Sequence, residues 1–157
     1  MPRYRVCKTF VVESAHMLSK HPGRCRFPHG HTRKFEIVVS SERLDENEMV
    51  IDFKALKLAI EGHLDAYDHA IVLNSNDPLL AAVQATYPPE ASIVFENEDP
   101  TTEVIARRTF EVLEKIVTEG WQGSDPSGIP HEIPAGQVQV ERIRVWETPS
   151  SWAEYGI

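Results

Sequence analysis

The segment RKFEIVVSS, Arg33 to Ser41, sets Phe35, Ile37 and Val39 at every second position. That period of two is the signature of a strand with one face buried and the other in water. Tyr4 to Glu13 reads the same way, with Val6, Phe10 and Val12 on one parity. Asp52 is a good N-cap for a helix carrying Phe53, Leu56, Ile60 and Leu64 at helical spacing. Asp99-Pro100-Thr101-Thr102 is a second helix start, since proline suits the first turn and Asp or Thr caps it. Ala106, Phe110, Leu113 and Val117 then form an apolar stripe.

Leu79 to Ala85 is predicted as a short helix, Ser92 to Phe95 as a short strand, and Val138 to Trp146 as the last strand. In that last strand Val138 and Val140 share one parity, Ile143 and Val145 the other. A β-bulge near Glu141-Arg142 accounts for the change of phase. Gly120 to Gly136, rich in Gly and Pro, is predicted as loop. The order β-β-α-(β)-α-β predicts an α+β fold, an antiparallel sheet with two main helices on one face.

A length of 157 residues suits one domain over 1–157. The net charge of −8 argues against nucleic acid as a partner, yet local charge still decides whether an anionic substrate binds. There is no apolar run long enough for a membrane span and no signal-peptide core at the start, so a cytoplasmic location with Cys7 and Cys25 reduced is expected.

Chemistry concentrates in RCRFPHGHTRKFE, Arg24 to Glu36. If His29-Gly30-His31 is extended, both imidazoles face one point, with a glycine between them that lets the backbone approach closely. With His16, at the end of the first strand, they would form a three-histidine metal site with an open position. An isolated HxH suits a surface turn equally well. Cys25 sits among Arg24, Arg26 and the histidines, surroundings that favour thiolate. Ser14 to Phe35 holds Lys20, Arg24, Arg26, Arg33 and Lys34 and no acid, a window suited to a polyphosphate or simply a solvated basic loop. Asp68-His69 is either a loop histidine or a carboxylate-poised proton shuttle. Glu147 shares parity with Ile143 and Val145. It is a strand-end residue in water or a semi-buried carboxylate needing paired N–H donors, such as the 2-amino-4-oxo edge of a pterin. Cys7 is expected in the core or an interface, and His21, His63 and His131 on the surface or in structural roles.

These segments together resemble the 6-pyruvoyl-tetrahydropterin synthase / 6-carboxy-tetrahydropterin synthase family. The likeness runs through FVVESAH (Phe10 to His16), CRFPHGH (Cys25 to His31), VIDFKALK (Val50 to Lys57), YDHAIVLN (Tyr67 to Asn74), DPTTEVIA (Asp99 to Ala106) and WETPSSWAEY (Trp146 to Tyr155). The resemblance implies a tunnelling (T-) fold in which trimers close a β-barrel, two trimers stack, and active sites lie between subunits. It implies Zn(2+) on His16, His29 and His31, Cys25 as catalytic base, Asp68 and His69 as a second proton-transfer pair, and Glu147, Thr101 and Thr102 as pterin-binding residues. The implied substrate is 7,8-dihydroneopterin triphosphate.

The short spacing from Cys25 to His29 resembles the carboxy branch, whose product feeds 7-deazaguanine (queuosine-type) synthesis. The pyruvoyl reaction, a paralogue acting on another pterin and a non-catalytic zinc-binding protein are the alternatives. The chain departs from the family at Arg33, where an aromatic is common.

Overall fold

The computed structural model describes residues 1–157. Two long strands, β1 (Tyr4–His16) and β2 (His29–Ser41), pair antiparallel from Tyr4↔Ser41 to His16↔His29. The remaining elements are α1 (Phe53–Asp65), β3 (Ile71–Asn74), α2 (Leu80–Thr86), β4 (Ser92–Phe95), α3 (Thr102–Glu119), β5 (Trp121–Ser124), β6 (Pro130–Ile133), β7 (Gln139–Thr148) and β8 (Ser151–Gly156). Six strands form one sheet in the order β4-β3-β1-β2-β7-β8. Its body is antiparallel, as expected, and the short β3 and β4 extend it in parallel.

Alternation sorts the sheet into two faces. Val12, Phe35, Ile37, Val39, Val140, Ile143 and Val145 line the inner one. Against them lie Leu56, Ile60 and Leu64 of α1 and Ile105, Ala106, Phe110, Leu113 and Val117 of α3, in a cluster of 23 buried residues. Burying each such large aliphatic side chain contributes about 1.5–3 kcal/mol. The two main helices therefore share one face, as the sequence predicts. The short α2 packs instead through Val83 onto Met17 and Leu73.

The bulge lies where the change of phase demands it. Val39 faces Val140 while Val38 faces Arg142, so Glu141 is the extra residue that lets Val140 and Ile143 both point inward. Both helix starts are capped as well. Asp52 Oδ1 accepts from the Lys54 N–H at 2.9 Å, and Thr101 Oγ1 accepts from the Val104 N–H at 3.2 Å.

Four expectations need correction. First, β1 and β2 extend beyond their apolar alternation to include the histidines, because the two polar ends pair with each other. Second, Gly120 to Gly136 is not simply loop: it contains the β5–β6 hairpin. Gly120 stops α3 at φ +85°, and a Cβ there would meet Ala135 N at 3.1 Å and Ile133 O at 3.2 Å. Third, β8 and β3 follow pairing partners rather than any alternation in their own residues. Fourth, of the two places expected for Cys7 the core is excluded: it is exposed on the outer face of β1, where the interface alternative would place it. Both cysteines are free thiols, and no helix is long and apolar enough to cross a membrane.

His131 fastens the β5–β6 hairpin to the start of α1. Its Nδ1 lies 2.8 Å from Asp52 Oδ2 and its Nε2 3.1 Å from Asp125 Oδ2. The bonds to Asp125 and then Asp52 raise the imidazole above its ordinary value, while the bond from His131 holds the Asp125 carboxyl down at about 2. A raised imidazole stabilises the fold fully below its ordinary value of about 6.5 and stops doing so as pH climbs through its folded value. The melting temperature should therefore fall between about pH 6 and pH 9, and this part of the slope should vanish in His131→Gln. An identical slope in the variant would remove the clasp from the account.

Candidate functional site

The register of the β1–β2 hairpin places His16 opposite His29 and Ser14 opposite His31, all on the inner face beyond Val12 and Arg33. The three imidazoles come together with ring centroids 4.5, 5.0 and 5.1 Å apart. One nitrogen from each lies within 4.8 Å of the others, and His16 Nε2 is 3.2 Å from His31 Nε2. The i, i+2 expectation for His29 and His31 holds, but the reason given for Gly30 does not. A Cβ at Gly30 would only touch Ser14 O at 3.5 Å, an ordinary contact.

The ring orientations are set from behind. His16 Nδ1 lies 2.8 Å from Pro100 O and His29 Nδ1 2.7 Å from Phe27 O. A carbonyl can only accept, so Nδ1–H donates in both cases, the arrangement that in a neutral ring leaves the lone pair on Nε2. His16 is fully buried, and burial together with the Arg33 cation pushes its pKa down to about 3. Burial also lowers His31, against the opposing pull of Glu147. Neutral imidazoles with converging lone pairs are the donor set a divalent zinc-like ion takes.

Arg33 belongs to this site rather than to the basic surface. It is fully buried, its NH1 donates to Thr102 Oγ1 at 3.1 Å, its NH2 lies 3.1 Å from His16 Nδ1, and its Nε has no partner. Burial lowers its pKa and Glu147 opposes the shift. The expectation that Arg33 could meet phosphate fails. Lys20, Arg24, Arg26 and Lys34 of the same window are exposed.

Glu147 occupies a second bulge, where the β7–β8 register slips between Trp146 and Thr148. Its Oε1 lies 3.3 Å from His31 Nε2 and 3.5 Å from His16 Nε2, and accepts from Thr102 Oγ1 at 3.2 Å. The carboxylate thus points inward, as its parity predicts.

The segment 99–102 ties these parts together. Thr101 caps α3, Thr102 bonds Arg33 and Glu147, and the Pro100 carbonyl orients His16. Asp99 does not cap the helix. Its carboxylate, buried to 8% exposure, accepts from Ser19 Oγ at 2.6 Å, the Lys20 N–H at 2.8 Å and Asn74 Nδ2 at 3.0 Å. Burial alone would raise its pKa, and these three donors hold it below the ordinary value instead. Asp99 thereby anchors the connection that carries Cys25. That half-buried cysteine sits in the short turn Arg24–Arg26, tied back by the Leu18 N–H donating to its carbonyl at 2.9 Å. Sequence reasoning saw Asp99 only as a helix cap, because Ser19 and Asn74 are distant in the chain.

Asp68 and His69 do not join the three histidines. Asp68 Oδ1 accepts from the Glu13 N–H at 2.7 Å, and the His69 N–H donates to Glu13 O at 2.7 Å. His69 sits at φ 60°, with Nδ1 2.9 Å from Asp68 Oδ2 and its side chain 82% exposed. It borders a cleft of about 770 Å³ with Glu13, Ala15, Gly30, Thr32 and Tyr87, and Ser14 and His31 line the same cleft. Glu13, Ala15, Gly30 and Thr32 are the alternate positions of β1 and β2, facing away from the inner face that carries His16 and His31.

The comparisons with known proteins agree with this architecture. A relative from Aquifex aeolicus, a 6-carboxy-5,6,7,8-tetrahydropterin synthase, is 30% identical over 172 residues, covering 98% of each chain. A Haemophilus influenzae protein of the same name is 28% identical over 156 residues, covering 97% of this chain and 98% of its own. Among solved structures, Caenorhabditis elegans 6-pyruvoyl tetrahydropterin synthase superposes with a TM-score of 0.62 at 21% identity, covering 100% of this chain and 97% of its own. An uncharacterised Wolinella succinogenes protein reaches 0.75 at 21% identity, with 99% of both chains covered. The fold is accordingly the tunnelling fold of these proteins. The family model described as 6-pyruvoyl tetrahydropterin synthase matches residues 5–156, from the first strand to the last, and the chain belongs to that family.

Proposed function

We propose that the protein is a zinc-dependent 6-carboxy-5,6,7,8-tetrahydropterin synthase. The observation that carries this reading is the convergence of His16, His29 and His31, with their free nitrogens on one point beside Glu147. The reaction takes 7,8-dihydroneopterin triphosphate and water to 6-carboxy-5,6,7,8-tetrahydropterin, acetaldehyde and triphosphate, on a route to 7-deazaguanines of the queuosine type. The name carried by the relatives that span nearly the whole chain favours the carboxy product. So does the short Cys25–His29 spacing.

His16, His29 and His31 hold the zinc, which when bound supplies a Lewis acid beside the substrate's side-chain hydroxyls. Glu147 accepts the paired N–H groups of the pterin edge, while Thr102 and Thr101 fix that edge at the start of α3. Cys25, as thiolate, takes a proton from the side chain, and Asp68 with His69 moves the second proton. The exposed Lys20, Arg24, Arg26 and Lys34 form the basic rim available to the departing triphosphate.

Asp68 and His69 are held by the Glu13 backbone rather than against the three imidazoles, which supports a reading in which a neighbouring copy completes each site. This agrees with a single domain spanning 1–157 that assembles as a trimer or a stacked hexamer in the cytoplasm.

Purified protein given dihydroneopterin triphosphate should release acetaldehyde and triphosphate, and His29→Ala should lose both products together with stoichiometric zinc. Triphosphate release without acetaldehyde would favour the pyruvoyl reaction, and a protein without bound metal would refute the zinc reading. Cys25→Ala should retain zinc while kcat drops about 10²–10⁴-fold, the usual weight of a positioned acid–base group. An unchanged rate would take Cys25 out of the mechanism. Asp99→Asn should keep the zinc, slow alkylation of Cys25 and lower kcat more than it raises KM, since the anchor of the Cys25 turn loses its charge. Unaltered alkylation would limit Asp99 to stability.

A further inference from the structure

The sequence leaves the fourth position on the metal open, and the structure puts a carboxylate oxygen beside two of the three histidines. His16 Nε2, His31 Nε2 and Glu147 Oε1 are separated by 3.2, 3.3 and 3.5 Å. Donors placed tetrahedrally at zinc–ligand distances of about 2.0–2.2 Å are spaced by about 3.3–3.6 Å. The three edges match that figure within about 0.1 Å.

Chemistry supports the geometry. The His16 Nε2 lone pair and the Glu147 oxygen are both electron-rich, and His31 Nε2 meets each of them. Three such atoms converge only around something positive, which is either a proton on His31 or a cation at their centre. Glu147 is also steadied as a metal-bound carboxylate commonly is, by a hydroxyl from behind, here Thr102 Oγ1 at 3.2 Å. Its side chain is nevertheless 31% exposed and stands on a bulge, so an incoming molecule can reach it.

We propose that Glu147 is a fourth protein ligand of the metal in the resting protein, and that it leaves the metal for the paired N–H edge of an arriving pterin. The inference rests on the zinc reading above. One carboxylate then serves two partners in turn. The metal stays closed to water and to stray anions until a ring with a 2-amino-4-oxo edge withdraws its cap. Ring recognition and the opening of the metal thereby become one event, which deepens the specificity of the site.

Cobalt(II) in place of zinc reports the coordination directly. The wild-type protein should show the intense visible bands of a tetrahedral ion. Glu147→Gln should change their shape and intensity and weaken cobalt binding about 10-fold or more. Adding unsubstituted 2-amino-4-oxopteridine, which has no side chain to chelate the metal, should shift the wild-type bands toward those of the variant and leave the variant's bands in place. The pteridine titration of the wild type stands even if Glu147→Gln folds poorly. A wild type that takes up no cobalt overturns the zinc reading and this inference together. Cobalt bound with bands unaltered by both the substitution and the pteridine overturns this inference alone, and leaves the three-histidine site intact.

Discussion

The pairing of β1 with β2 is the interaction on which the rest depends. Its register runs unbroken from Tyr4↔Ser41 to His16↔His29, so one set of hydrogen bonds aligns the core and the candidate metal site. A slip of β2 by one residue would turn Phe35 and Ile37 outward and carry His29 and His31 to the opposite face. The apolar half of the hairpin therefore supplies the stability that holds three polar rings against one another. Without that core, nothing would offset the cost of gathering neutral imidazoles, a carboxylate and a guanidinium in a water-poor corner.

Arg33 shows how tightly that corner is balanced. A fully buried cation with an unpartnered Nε is expensive, and Thr102 is its one well-placed acceptor. The negative charge of Glu147 acts on it across the pocket. Asp99 solves the same problem differently, with three donors arriving from two separate segments of the chain. Segment 99–102 thus couples the start of α3 to every strand and turn that contributes a polar group to the inner site.

Much of the fold was legible because it is written in local periods. Phe35, Ile37 and Val39 announce a strand, the stripe from Ala106 to Val117 announces a helix, and the broken phase at Val140 and Ile143 announces a bulge. The histidine pair His29 and His31 was legible for the same reason. What escaped depends on partners far away in sequence. His131 looked isolated because Asp52 lies 79 positions off, and the hairpin it fastens was hidden in a glycine-rich stretch. Arg33 counted as one more surface charge until β1, α3 and β7 closed over it. The inward direction of Glu147 followed from parity, whereas its approach to the imidazoles came only with the tertiary structure.

The attachment of Asp68 and His69 to the backbone of Glu13 has a consequence beyond geometry. The Glu13 N–H and C=O both serve this pair, so the outer chemistry is hung on the very strand that carries His16 on its inner side. One strand therefore fixes both the histidine cluster and the Asp68-His69 pair. Under the proposed assembly, each protomer lends one half-site to one neighbour and borrows the other half from a second. Protein concentration then behaves as a reactant: dilution silences the chemistry while every chain remains folded.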